Sequence, residues 1–434
     1  MDHKPKLAAS TLGFLALAAL NCILLLTYLG THPDFPGDFC AFYTGAHIYL
    51  QNPRRVYDLT LQRATEQQLI GRDDIPFNHP PYELLLWLPL ARLSFNAAFW
   101  MWRLASLVLL AVAAKLLATA LCPRLGAPAI FLRALAFFPV PYCLWMGQDS
   151  LLLLAILAGC AWLLGRRMEW LAGAALGLAL FKPQLVLPIA AIYLLMRRWR
   201  MLRGFLCSGF AALAVSIFMV GLAGMRQMLE ILLQGHTSAQ MAIHPSMMPN
   251  LRGLLFLLLA GHSRLEAVLG GAISVGLLLA ARRTMQRRQP PARAFAGLLC
   301  FAILVSFHMN LHDLALLLPP ILMVMQDQFC TGENGWKVTA PLVVLFCTPA
   351  YLVALGAFKV AVFAIFVGWL WFAMTRCFGK SRISLRFEGD GLQAVRKRSK
   401  IISALTAEGR RHHSTKISRP VVPSIEQRGT AFDR

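Results

Sequence analysis

Charge is what this sequence has least of. Charged residues make up 14% of its 434 positions, and the acidic ones number only 20. Soluble domains carry nearer a quarter charged, so a water-soluble globular fold is excluded. The alternating ten-residue pattern of a membrane barrel is also missing, which leaves helices as the way to pair backbone groups in lipid. The ten cysteines are scattered, mostly inside apolar runs, and show no Cys-x-x-Cys spacing. They read as small core residues rather than a disulfide framework or a zinc site. No small-x-small cleavage site follows the apolar stretch 7–29, so it reads as an uncleaved first span. Nor does a repeat relating two halves stand out, as a secondary transporter would lead one to expect.

What is abundant is hydrophobic sequence, at 58% of the chain. Runs of about 18 apolar residues are long enough to cross a bilayer as helices. Such runs fit 7–29, 97–121, 128–146, 151–165, 204–223, 265–281, 294–309, 314–329, 338–355 and 357–375. The expected fold is therefore all-α: a polytopic membrane domain over 1–375 with ten to twelve spanning or half-spanning helices. Segments 169–181 and 184–196 are each too short to cross alone, and Lys182-Pro183-Gln184 lies between them. They form either a broken hairpin or one kinked crossing.

The net charge of +22 does not point to nucleic acid, because its cations sit at the ends of apolar runs: Arg166-Arg167, Arg197-Arg198-Trp199-Arg200, Arg282-Arg283 and Arg287-Arg288. That is the positive-inside pattern of cytoplasmic loops. Residues 376–434 carry 14 Lys+Arg against 5 Asp+Glu. This basic tail reads as cytoplasmic, disordered and drawn to anionic membrane lipids.

The polar block 31–82 separates the first two long apolar stretches, and seven of the acidic residues lie between Asp34 and Glu83. Asp38, flanked by Gly37 and aromatic residues, is the leading candidate for a general base: a carboxylate beside the membrane can be partly desolvated yet reachable. The alternatives are a cap for the helix that starts near Phe39 and Asp34, four residues upstream, as the competing carboxylate. Asp58, Glu66, Asp73 and Asp74 alternate with arginines and read as the solvated face of short interfacial helices. His79 and Tyr82 close the block in His79-Pro80-Pro81-Tyr82, where His79 suits a substrate contact or an interfacial anchor.

Polar residues between apolar runs need a cavity or a partner. By that criterion Gln148, Asp149, Lys182, Gln184, His308, His312 and Asp313 are candidate substrate-binding residues. So are His244, Asn250 and Arg252 in the polar loop 236–252. Lys182 and Arg252 suit a phosphate. His308 and His312 stand four apart and would make a metal pair with Asp313, but no third ligand group is evident and no metal is expected.

Taken in order, Gly37-Asp38-Phe39, Phe42-Tyr43-x-Gly45-Ala46, Val56-Tyr57-Asp58, His79-Pro80-Pro81, Gly147-Gln148-Asp149-Ser150 and Lys182-Pro183-Gln184 resemble glycosyltransferase family 87. The likeness spans about residues 10–375. These are polyprenol-phosphate-mannose-dependent α-mannosyltransferases of GT-C architecture. The resemblance implies a lipid-phosphate sugar donor and a glycolipid or glycan acceptor. It also implies an extracytoplasmic active site in a bacterial inner membrane, with no nucleotide sugar and no cofactor. It casts the aspartate of the first outer loop, here Asp38, as the base of an inverting transfer. The rivals are a secondary transporter and a ligase that moves a preassembled glycan.

Overall fold

In a computed structural model the described residues are 3–31, 37–71, 75–234, 245–260, 262–286, 289–331, 342, 345, 346 and 361–374. Among them there are helices and no strands. The first helix, α1 (His3–Thr31), covers the expected span. The polar block then folds as α2 (Phe39–Gln51), a 3₁₀ turn at Pro53–Arg55 and α3 (Leu59–Ile70). Asp58 starts α3 by accepting from the Leu61 amide at 3.1 Å, and Arg55 grips its other oxygen at 2.6 Å. Glu66 departs from its expected solvated position: it is buried, close to Cys40. Asp34, Asp73 and Asp74 lie outside the described residues.

A 3₁₀ turn at Pro81–Glu83 leads into α4 (Leu84–Trp87), and α5 (Phe95–Ala120) is a full membrane-length helix. The expected span 128–146 is two helices, α6 (Ala127–Ala136) and α7 (Pro139–Met146), bent by 75°. Pro139 has no amide hydrogen to continue the ladder, so carbonyls are left over at the bend. Asn21 of α1 answers them, its amide donating to Ala136 at 2.9 Å and Leu135 at 3.3 Å.

Next come α8 (Ser150–Gly165), α9 (Glu169–Leu178), α10 (Pro183–Leu195) and α11 (Trp199–Gln234), the last broken at Gly221. Of the two readings for 169–196, the structure adopts the hairpin. Arg198 after α10 meets Glu169 at the start of α9, 3.4 Å apart, so both basic turns lie at one end and Lys182 at the tip. A short repeat that the sequence reading missed underlies this. Leu163-Leu164-x-Arg166-Arg167 leads to Leu171-x-Gly173, and Leu194-Leu195-x-Arg197-Arg198 leads to Leu202-x-Gly204.

The two glycines interlock. A Cβ on Gly173 would strike the Met201 carbonyl, and one on Gly204 the Trp170 carbonyl. Small residues let α9 and α11 run side by side in the same direction at backbone contact. Gly204→Ala is therefore expected to cost about 1–3 kcal/mol, the usual penalty of overpacking. Thermal melting in detergent measures it.

The chain continues with α12 (Leu251–Leu258), α13 (Ser263–Gln286) and α14 (Pro291–Val305). A 3₁₀ helix at Leu311–Leu317 follows, then α15 (Leu318–Thr331) and a helical stretch at 361–374. Helix α12 starts at the end of the polar loop 236–252 and runs on into residues to which the sequence assigned no span. The expected span 338–355 and the tail 376–434 lie almost wholly outside the described residues.

By length and apolarity α5, α11 and α13 qualify as full spans, and α6 with α7 as one more if counted together. Helices α8, α10 and α14 are shorter, as half-spanning elements are. Side-chain distribution departs from that of a water-soluble protein at the surface and at one buried cluster. Phe218 (91% exposed) and Val268 (67%) face outward, while Asp149, Lys182 and Asp313 are buried. Lipid is the solvent that makes this arrangement favourable, so the chain is an integral membrane protein.

Candidate active site

Four helix beginnings meet at one place: those of α2, α8, α10 and the 3₁₀ helix Leu311–Leu317. Two glycines in left-handed conformation make the first meeting possible. Gly37 (φ 58°) lies against the Met146 carbonyl, with no room for a Cβ. Gly147 (φ 67°) ends α7 and packs on the Phe99 ring and the Phe39 Cβ. Residues with a side chain disfavour that backbone region. From α5, Trp102 donates to the Gly147 carbonyl at 2.9 Å, and Arg103 donates to Leu144 at 3.2 Å while lying over Phe99. The α7–α8 turn is thus fixed against the start of α2.

That contact sets Asp38 opposite Gln148. Asp38 occupies the cap position of α2, but its side chain makes no cap bond. Instead the Gln148 amide donates to Asp38 Oδ2. The capping alternative is thereby removed. The carboxylate is half-buried above an aromatic floor, where Phe39 stacks on Phe99 and Phe42 on Trp87. Burial pushes its pKa up to about 6, against the pull of the Gln148 hydrogen bond and of Lys182. Loss of water disfavours the charged form, and this effect outweighs the neighbours that favour it.

Asp149 begins α8, likewise without a cap bond, and lies 2.8 Å from Lys182 Nζ. Lys182 begins α10 at the hairpin tip and also donates to Ser150 Oγ and Asp313 Oδ1, each at 2.7 Å. The Ser150 hydroxyl donates to the same Asp313 oxygen at 2.8 Å. Lys182 thus makes two hydrogen bonds and the 2.8 Å ion pair with Asp149, all within the protein. The phosphate-holding part expected of it is filled by carboxylates. Asp313 in turn accepts from the Asn310 amide at 3.0 Å, completing a capping box.

His79 reaches the cluster from the other side. Its Nδ1 is 2.7 Å from Glu83 and 3.6 Å from Asp149. Tyr57 holds the His79 carbonyl at 2.6 Å, and Trp87 donates to Glu83 at 3.3 Å. Glu83 and Ser150 are members that the sequence reading did not select. The four-residue spacing of His79 and Glu83 was the available signal for the first. Ligand atoms of His79, Glu83 and Asp149 gather within 4.8 Å, close enough to share a cation. A metal ion there would face the Lys182 ammonium, which already supplies positive charge to Asp149.

The remaining candidates hold the frame around this centre. Tyr82 donates to the Leu178 carbonyl at 3.1 Å and so pins the hairpin tip. Asn250 is spent internally: it caps α12 through Gly253 (3.1 Å) and donates to the Ser306 carbonyl at 2.6 Å. Arg252 donates to the Phe307 carbonyl at 2.7 Å, placing it on the loop that leads to Asp313. Gln184 is half-buried in the first turn of α10.

His308 and His312 do not share a helical turn as their spacing suggested. Helix α14 ends at Val305, His308 lies in the irregular stretch beyond it, and His312 belongs to the next helix. His312 is buried with its Nε2 3.6 Å from Asp313. His244 lies outside the described residues.

A family model matches residues 77–306, more than half of the chain, and its description is glycosyltransferase family 87. The chain belongs to that family and is a glycosyltransferase, which sets aside the transporter reading. None of the curated proteins and none of the solved structures compared with the chain matches it. The matched region contains His79, Glu83, Gln148, Asp149, Ser150 and Lys182; Asp38 and Asp313 stand on either side of it.

Proposed function

We propose that the protein moves a hexose, mannose by resemblance, from a polyprenyl-phosphate carrier to a hydroxyl of an extracytoplasmic glycolipid or glycan. Asp38 is the base in this reading. The observation that carries it is the orientation of the Asp38 side chain: it forgoes the cap of its own helix and is aimed by Gln148 beside a buried charged cluster. The acceptor hydroxyl loses its proton to Asp38 as its oxygen bonds the anomeric carbon, and the bond to the carrier phosphate breaks on the opposite face. The anomeric centre inverts. The departing polyprenyl phosphate is already an anion, so it needs electrostatic stabilisation rather than a proton.

Lys182 is committed to Asp149 and Asp313, which leaves that stabilisation to Arg252 and the N-termini of α2 and α8, where no side chain caps the amides. Such termini favour anions through their free amides and aligned dipoles. The sugar's hydroxyls suit Gln148, Asp149 and His79. The isoprenoid chain lies in lipid beside the helices, so the outer block 31–82 need hold only the sugar and acceptor.

The test is a transfer assay with purified protein in detergent, membrane glycolipid extract as acceptor and three donors in parallel. These are polyprenyl-phospho-mannose, polyprenyl-phospho-glucose and a nucleotide-mannose. Labelled glycolipid is expected from the first alone. Transfer from the nucleotide sugar would overturn the donor class, and transfer from the glucosyl carrier would change the sugar.

A further inference from the structure

A cavity lies one helix length from the carboxylate cluster. Helix α8 begins at the cluster with Ser150 and ends at Gly165, and its sixteen residues span about 24 Å. At that far end is a cavity of about 820 Å³, within the roughly 300–1,000 Å³ typical of small-molecule sites. Its described lining includes Arg197, Arg198 and Arg282, with Glu169 as the one acidic residue. Leu164, Met196, Met285 and Ala294 make part of the wall apolar.

One detail separates this cavity from an ordinary solvated basic face. Gln289, also in the lining, donates its amide to the Thr284 carbonyl at 2.9 Å, while its Oε1 is buried without a partner. A buried acceptor left unpaired is costly unless a ligand's donor completes it.

We propose that this cavity binds the headgroup of an anionic phospholipid that carries a free hydroxyl. The guanidinium groups of Arg197 and Arg282 take the phosphate by charge-assisted hydrogen bonds. The ligand hydroxyl donates to Gln289 Oε1. The apolar wall receives the first methylenes of the acyl chains, which a soluble phosphate lacks. Basic pockets between membrane helices suit lipid headgroups for these reasons. Glu169 restrains Arg198 through their 3.4 Å ion pair and tempers the positive charge.

The experiment uses the full chain in mixed phosphatidylcholine–phosphatidylglycerol nanodiscs. Lipid retained after detergent extraction is counted by native mass spectrometry. Wild type is expected to retain phosphatidylglycerol, Arg197→Gln/Arg282→Gln to retain it about tenfold less or lower, and Glu169→Gln to retain more. The gain in the last variant cannot come from unfolding. Equal retention by all three proteins, or equal retention of phosphatidylcholine, overturns the site. Displacement of phosphatidylglycerol by millimolar inorganic phosphate overturns the lipid and assigns the cavity to a soluble anion. The readout is bound lipid, so it stands apart from sugar transfer: a failed transfer assay leaves this result intact.

Discussion

Asp38→Asn is expected to lower sugar transfer by about 10²–10⁴-fold, the range that positioned proton transfer contributes, while the protein melts no lower than wild type. Asparagine keeps an oxygen for the Gln148 amide and removes only the basicity. The sign of the stability effect follows from the raised pKa. A carboxyl that rises from 3.8 to about 6 on folding is favoured in its protonated form. Its contribution to stability is complete below pH 3.8 and is lost as pH climbs through 6. At pH 7 the wild type therefore carries a desolvated anion that the neutral variant lacks.

The same titration shapes the rate. Transfer needs ionised Asp38, so kcat/KM is expected to be half-maximal near pH 6 and to fall about tenfold per pH unit below it. Equal transfer by wild type and variant, or a flat profile from pH 5 to 7, would remove Asp38 from the base role.

Composition made the fold legible where one helix decides its own fate. Spans 7–29 and 97–121 reappear as α1 and α5 within a few residues, because an unbroken apolar run has no other stable state in lipid. The hairpin was visible as two short runs between basic pairs. Its choice over a kinked crossing depends on Arg198 meeting Glu169, a tertiary fact. The bend at Phe137 was missed because apolar content does not register the amide lost at Pro139.

Residue type and position were enough to pick out Asp38, Gln148, Asp149, Lys182 and Asp313, which the structure brings together. Their division of labour was not. Lys182 reads in sequence as a free cation, and only the meeting of α8, α10 and the 311–317 helix shows that two carboxylates consume it. Glu66 was misplaced for the same reason: local charge alternation says nothing of which face another helix covers.

The largest expected loss of stability follows from that consumption. Lys182→Met leaves Asp149 and Asp313 buried with their shared cation gone, and Ser150 without its donor. Removing one partner of a buried ion pair costs about 3–5 kcal/mol, against about 5–15 kcal/mol holding a typical domain together. A steep fall in melting temperature in detergent is expected, with transfer lost in consequence.

A double-mutant cycle distinguishes this framing part from a catalytic one. Asp313→Asn in the Lys182→Met background removes one of the stranded charges and is expected to recover part of the stability. The Asn310 amide would still find an acceptor in the new side chain. Were Lys182 instead a ligand of the donor phosphate, Lys182→Met would melt like wild type and raise KM for the polyprenyl donor. The second substitution would then restore nothing.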